Sequence, residues 1–284
     1  MTYRDAYRQG AACLKDAGIE EYDLDARLLL EHTCGITRQD LLIYGDKLLE
    51  TGAEESFFQA IALRSSRIPL QHITGVQAFM GLDFEVNEDV LIPRQDTETV
   101  VETALTVLRP GMEILDLCTG SGCILISLLY YGGEVCGLGT DISPKALLTA
   151  ARNLERISQK KKLNASLRES DLFDQVTGHF DLILSNPPYI ASSVIDTLEP
   201  EVRDHEPVLA LDGGRDGLAF YRRIVMESRR HLKNDGFLIL EIGYDQGMAV
   251  RKLFDLAGFE DVTLKQDLAG SDRVVSGRWR SEHV

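Results

Sequence analysis

Over the first 68 residues apolar positions recur at three- and four-residue spacing, as in Leu24, Leu28 and Leu29 with His32, and again in Phe57, Phe58, Ile61, Ala62 and Ser65. That is the period of one face of a helix. Gly18, Gly35, Gly45 and Gly52 divide the stretch into short helices, and no alternation of the strand type interrupts it. From 69 to 93 the pattern changes. Val76 to Met80 and Asp83 to Val86 read as two short extended runs about Gly81-Leu82, a β-hairpin. A helix starts at Asp96 or Thr97, with Thr97, Val100, Val101, Ala104 and Leu105 as its apolar face.

Beyond residue 111 short apolar runs alternate with helical patterns. Strands are predicted at Glu113–Leu117, Glu134–Leu138, Leu163–Leu167, Phe180–Ser185, Phe237–Glu241, Asp261–Leu264 and Arg273–Ser276. Helices are predicted at Gly122–Tyr130, Ser143–Ile157, Gly217–His231 and Gln246–Ala257. Buried strands separated by helices predict an α/β doubly wound, Rossmann-like sheet with right-handed crossovers. No helix separates the last two strands, so a hairpin with an antiparallel edge strand is expected there. The chain thus divides into a helical domain over 1–68, a linker with the hairpin over 69–93, and a catalytic α/β domain over 94–284.

Composition narrows the choice. The 284 residues are 44% hydrophobic, enough for a substantial core. No apolar run approaches the roughly 20 residues of a membrane span, and the first residues lack a secretory apolar stretch, so a cytoplasmic protein is expected. Five scattered cysteines and six histidines show no ligand spacing, and neither zinc nor disulfides are expected. Asp204-His205-Glu206 reads as a solvated loop, and Arg222, Arg223, Arg229 and Arg230 as the wet face of a helix. A net charge of −15 disfavours direct binding to nucleic acid. A monomer is expected.

Two stretches carry chemistry. The first, Asp116-Leu117-Cys118-Thr119-Gly120-Ser121-Gly122, leaves a strand and opens a helix. Its glycines let the backbone approach a ligand, but the dinucleotide spacing is absent. Asp141 follows the next strand, where a carboxylate can accept two ribose hydroxyls, and Asp171 follows the third, ahead of Leu172. An acid at 171 suits an adenine amino group, with Leu172 packing on the ring. Alone, each piece is equally a packing turn or a helix cap. The second stretch, Asn186-Pro187-Pro188-Tyr189, ends a buried strand at the carboxyl edge of the sheet, where open α/β folds bind ligands. The prolines stiffen the turn. The Asn186 side-chain oxygen and the Pro187 carbonyl are two acceptors suited to one planar –NH2 group, and Tyr189 offers a face for stacking.

The loop pattern Asp-x-Cys-x-Gly-x-Gly resembles the Asp-x-Gly-x-Gly-x-Gly loop of class I methyltransferases, with Cys118 in place of a glycine. That resemblance implies S-adenosylmethionine as cofactor, held by Thr119, Gly120, Ser121, Gly122, Asp141, Asp171, Leu172 and Asn186. A closer resemblance extends over residues 69–277. Pro69 to Gly75, Leu91-Ile92-Pro93-Arg94-Gln95-Asp96-Thr97-Glu98, Asn186 to Ile190, Glu206-Pro207 through Asp212 to Leu218, Leu240-Glu241-Ile242-Gly243 and Asp267-Leu268-Ala269-Gly270-Ser271-Asp272-Arg273 are similar to the release factor glutamine methyltransferases, the HemK/PrmC family. The resemblance implies N5-methylation of the glutamine side-chain amide in the Gly-Gly-Gln loop of class I peptide chain release factors. Asn186 and Pro187 would hold that amide, with Pro188 and Tyr189 packing about it. Arg94, Asp96 and Glu98 either order the domain junction or dress a helix N-terminus. Two other classes compete: an amino methyltransferase acting on a nucleic-acid base, which needs a basic track and a base-flipping pocket, and a non-catalytic cofactor-binding module, which has no need for two convergent acceptors.

Overall fold

A computed structural model of the chain describes residues 1–281. They form two compact units, 1–76 with 199–205, and 77–198 with 206–284 up to the last described residue.

The first unit is helical: α1 (Tyr3–Asp16), α2 (Tyr22–Cys34), α3 (Arg38–Tyr44), α4 (Ala53–Ser65) and α5 (Leu70–Thr74). Polar caps set their starts, with the Thr2 side chain accepting from the Asp5 amide and Thr37 and Asp40 forming a reciprocal capping box. The core gathers Leu14, Leu29, Leu30, Phe57 and Ile61. Leu24, on the expected apolar face, is instead exposed. The helical unit runs through α5 to Val76.

The second unit begins at Gln77, within the hairpin of β1 (Val76–Phe79) and β2 (Leu82–Glu85), whose Phe79, Leu82 and Phe84 enter the core beside α6 (Glu98–Val107). A single 3₁₀ turn, Gln95–Thr97, precedes α6. Then follow β3 (Glu113–Leu117), α7 (Cys123–Tyr131), β4 (Cys136–Asp141), α8 (Pro144–Ser158), β5 (Asn164–Glu169) and β6 (Phe180–Ser185). After the short α9 (Pro200–Arg203), which belongs to the helical unit, come α10 (Ala219–Ser228), β7 (Leu232–Glu241), α11 (Gly247–Ala257), β8 (Glu260–Gln266) and β9 (Asp272–Arg278).

The sheet order is β5-β4-β3-β6-β7-β9-β8. Strands β3 to β7 pair in parallel, and β9 is antiparallel to both β7 and β8. The expected terminal hairpin is present, but the antiparallel strand is its inner member, and β8 forms the edge. The order reverses between β3 and β6, a switch point that opens a crevice at the carboxyl ends of the strands. Both faces are covered, by α6, α7 and α8 on one side and by α10 and α11 on the other. The second strand starts at Cys136 and not at Glu134, so Asp141 is its last residue.

Candidate active site

The crevice holds a cavity of about 210 Å³ whose lining includes Thr119, Gly120, Ser121, Asp141, Asp171, Leu172, Asn186 and Pro188. Four strand ends, those of β3, β4, β5 and β6, therefore converge on one space. Gly122, Pro187 and Tyr189 are not part of its lining. Gly122 caps α7 at φ 81°, and a β-carbon on it would come within 2.9 Å of Ile126 Cδ1. The left-handed φ is what favours glycine here, with close packing on α7 beside it, as the packing reading of such turns anticipates.

Hydrogen bonds shape the loop. Asp116, fully buried, accepts from Thr119 Oγ1 at 2.6 Å. Burial pushes its carboxyl up to about 7, against the opposing pull of that hydroxyl. Asp141 accepts from the Gly120 amide and from the Ser143 amide, both at 2.9 Å. Burial still raises its carboxyl above the ordinary range. Ser143 then caps α8, ahead of Pro144 at the first helical position. One carboxylate thus joins the glycine loop to the start of the next helix. Gly120 has φ 54°, and a β-carbon built there meets nothing within 4 Å, so the loop faces open space as a ligand cradle must.

Asp171 is paired with Arg223 Nη1 at 3.0 Å. Arg223 also lines the cavity, so it belongs to the site and not to a uniformly wet helix face. Glu206 corrects the reading of its tripeptide as a solvated loop. It is buried and takes both carboxylate oxygens to Arg94 Nη2, at 2.7 and 2.9 Å. Arg94 lines the cavity from the other side. Asp96 pairs with Arg273 at 3.1 Å, and Glu98 accepts from the Met80 amide at 2.6 Å. Among the described residues no three His, Cys, Asp or Glu side chains assemble as a metal site.

Asn186 follows the last residue of β6. Its Nδ2 donates to Thr97 Oγ1 at 3.4 Å, so its Oδ1 is turned away from that partner. Tyr189 Oη donates to Glu241 Oε1 at 3.4 Å, and burial raises its phenol well above the ordinary value. Gly213 donates its amide to Ile190 O at 2.8 Å, while Gln246 Nε2 donates to Tyr189 O at 2.9 Å. The motif is therefore clamped on both sides. The clamp depends on residues remote in the chain: Thr97, Gly213 and Glu241 lie within stretches that carry the family resemblance, and Gln246 lies outside them.

This topology, glycine loop and strand-end acid define a methyltransferase of the Rossmann-like kind. A family model described as "Methyltransferase small domain" matches residues 97–201, and one described as "PrmC N-terminal domain" matches residues 5–75. A methyltransferase from Pyrococcus furiosus superposes with a TM-score of 0.57 at 21% identity, covering 78% of this chain and 100% of that one, which speaks for the fold. A release factor glutamine methyltransferase from Caulobacter vibrioides is 44% identical over 282 residues, 98% of this chain and 96% of its own length. Its counterpart from Cereibacter sphaeroides is 43% identical over 278 residues, 98% of this chain and 99% of its own. The chain belongs to the release factor glutamine methyltransferase family.

Proposed function

We propose that the chain transfers a methyl group from S-adenosylmethionine to the side-chain amide nitrogen of the glutamine in the Gly-Gly-Gln loop of class I peptide chain release factors. The observation that carries this reading is that Asn186 and Pro188 line the same cavity as Gly120 and Asp141. Asn186, one of the two amide acceptors, and the loop suited to the cofactor share one space. The cofactor would supply a methyl group activated on a sulfonium, whose S–CH3 bond breaks as the N–CH3 bond forms and which leaves as the neutral thioether S-adenosylhomocysteine.

The residues of the chain do the rest. Asp141, ending its strand with two backbone amides on its oxygens, keeps lone pairs for ribose hydroxyls. Leu172, at φ 50°, is held against the cavity where an adenine ring packs. Asn186 Oδ1 and the Pro187 carbonyl accept the two protons of the substrate amide, which holds its nitrogen toward the methyl group. An amide nitrogen is weakly nucleophilic because its lone pair is delocalised. Two fixed acceptors raise its electron density and favour the positive charge that develops on it. Alignment supplies much of the remainder, up to roughly 7–11 kcal/mol in well-oriented systems. The acidic N-methylated amide loses its proton to water after transfer, so no strong base is required at the nitrogen. The helical unit is assigned to gripping the protein substrate.

The test is methyl transfer from labelled S-adenosylmethionine to purified release factor, with Gly-Gly-Gln compared to Gly-Gly-Glu and wild type to Asn186→Ala. Labelling is expected to need both the glutamine and Asn186, with Asn186→Ala losing about 10²–10³ in rate, as for removal of one preorganised polar group. Labelling of DNA or RNA in place of the protein would overturn the substrate.

A further inference from the structure

Glu241, the last residue of β7, is 1% exposed, and its Oε2 has no hydrogen-bond partner. A buried carboxylate with a vacant acceptor is costly, and such groups are found where function requires them. The Thr97 hydroxyl, itself 2% exposed, lies beside this carboxylate and favours its ionised form, and the same Thr97 oxygen accepts from Asn186 Nδ2. Tyr189 Oη donates to the carboxylate itself, and Tyr221 Oη to the Glu241 backbone oxygen. One carboxylate is thus the terminus for both polar members of the Asn186-Pro187-Pro188-Tyr189 motif.

We infer that Glu241 is a positioning residue for methyl transfer, fixing the orientation of the Asn186 carboxamide through the Thr97 hydroxyl. The inference rests on the proposed role of Asn186. A carboxamide has nearly the same shape in its two flipped orientations, and only its hydrogen bonds distinguish them. Thr97 has one proton. An ionised carboxylate can only accept, so it draws that proton and leaves the Thr97 lone pairs to Asn186 Nδ2. The chain of donors then runs one way, from Asn186 to Thr97 to Glu241, and Asn186 Oδ1 is left for the substrate. A protonated Glu241 can donate to Thr97, and the direction is lost. A flipped Asn186 would present N–H groups to the substrate –NH2, donor against donor. The contacts at 3.4 Å are long for a free enzyme and are expected to shorten around the bound amide.

The surroundings make this state responsive to pH. Facing Glu241 are Arg273 from β9, Asp96 ahead of α6, Tyr189, Tyr221 on α10 and Cys123 on α7. Burial is the largest influence and pushes Glu241 up to about 7, while the Thr97 hydroxyl and Arg273 oppose it. Arg273 is shared with Asp96 and Asp267, each at 3.1 Å, which weakens its hold. The ionised, directing form is therefore lost as pH falls below about 7.

The experiment compares wild type, Glu241→Gln, Thr97→Val and Thr97→Ser by methylation rate against pH, affinity for S-adenosylmethionine, thermal melting and the ¹⁵N side-chain amide resonance of Asn186. Wild-type kcat is expected to rise through about pH 7. Glu241→Gln and Thr97→Val should lose about 10–100-fold in kcat, the range for groups that orient a reacting residue, with KM and cofactor affinity little changed. Thr97→Ser should retain the rate, and Glu241→Gln should flatten the pH profile. The Asn186 resonance should titrate near pH 7 in wild type and not in Glu241→Gln. Since the folded acid titrates above its unfolded value, wild type binds the extra proton only when folded, and loses stability as pH rises from about 4.5 to about 7. Glu241→Gln should therefore melt level with wild type at low pH and higher at pH above about 7. A variant that melts lower, or one that keeps full kcat and the wild-type profile, overturns the inference. A wild-type enzyme that fails to label the release factor strikes the proposed function instead, and the Asn186 resonance still decides the orientation.

Discussion

At the scale of single residues, the loop at 118 is where side-chain chemistry and backbone geometry disagree. Cys118 has φ 56°, in the region that glycine occupies freely and other residues enter at about 1–2 kcal/mol. Its side chain packs on the core beneath the sheet's carboxyl edge, and burial pushes its thiol well above the ordinary range. Packing thus offsets some of the backbone cost. Cys118→Gly trades strain for lost contact and a more flexible unfolded chain, and is expected to stay within about 1 kcal/mol of wild type in chemical denaturation. Cys118→Val puts a β-branched residue at positive φ and should lose about 2 kcal/mol or more, with weakened cofactor binding. If Val and Gly behave alike, the left-handed conformation is not what the loop requires.

At the scale of elements, the stretch after β6 takes its shape from a second segment more than twenty residues later. Ile190 and Asp212 form a parallel bridge. A β-carbon on Gly213 would lie 2.7 Å from Tyr189 Cα and 2.8 Å from its carbonyl carbon, and both are backbone atoms that cannot rotate aside. A β-carbon on Gly217 would likewise collide with Tyr189 O. These glycines let two backbones touch, and that contact holds Tyr189 in place. Gly213→Ala is expected to cost about 1–3 kcal/mol, the range for overpacking. It should lower kcat by about tenfold or more, because a displacement of about 1 Å at a positioning group is that costly, while cofactor affinity stays near wild type. Calorimetry of cofactor binding beside single-turnover rates separates these outcomes.

At the scale of the molecule, the helical unit includes a strap from far along the chain. Arg64 is about nine-tenths buried, with Nε on Asp25 at 2.7 Å and Nη1 on Glu201 at 3.0 Å, and Arg67 joins Glu201 at 3.1 Å. The arginine links α2, α4 and the segment 199–205. Breaking one partner of a buried pair leaves the others uncompensated. Arg64→Ala should therefore destabilise this unit by about 3–5 kcal/mol. Hydrogen exchange should show amides of 1–76 losing protection while those of β3, β6 and β7 keep theirs. Equal loss in both would mean that the units unfold as one.

The sequence by itself determined the elements, because hydrophobic periodicity is a local property. It set β3 and β6 to the residue, the start of β7 five residues late, the other strands to within three residues, and the order in which they occur. It also marked Gly120, Asp141 and Asn186 through short motifs whose chemistry is readable in one dimension, and the family through longer ones. Tertiary structure alone decided what depends on meetings between distant segments. The pairing of β7 with β9, and not with β8, is such a case, since two adjacent strands carry no local sign of which one faces inward. So is the burial of Glu206 on Arg94, because a charged residue in a polar stretch reads as solvated until its partner, 112 positions away, is known. The chain of contacts from Asn186 through Thr97 to Glu241 joins three elements, and its direction depends on a burial that no window of sequence contains.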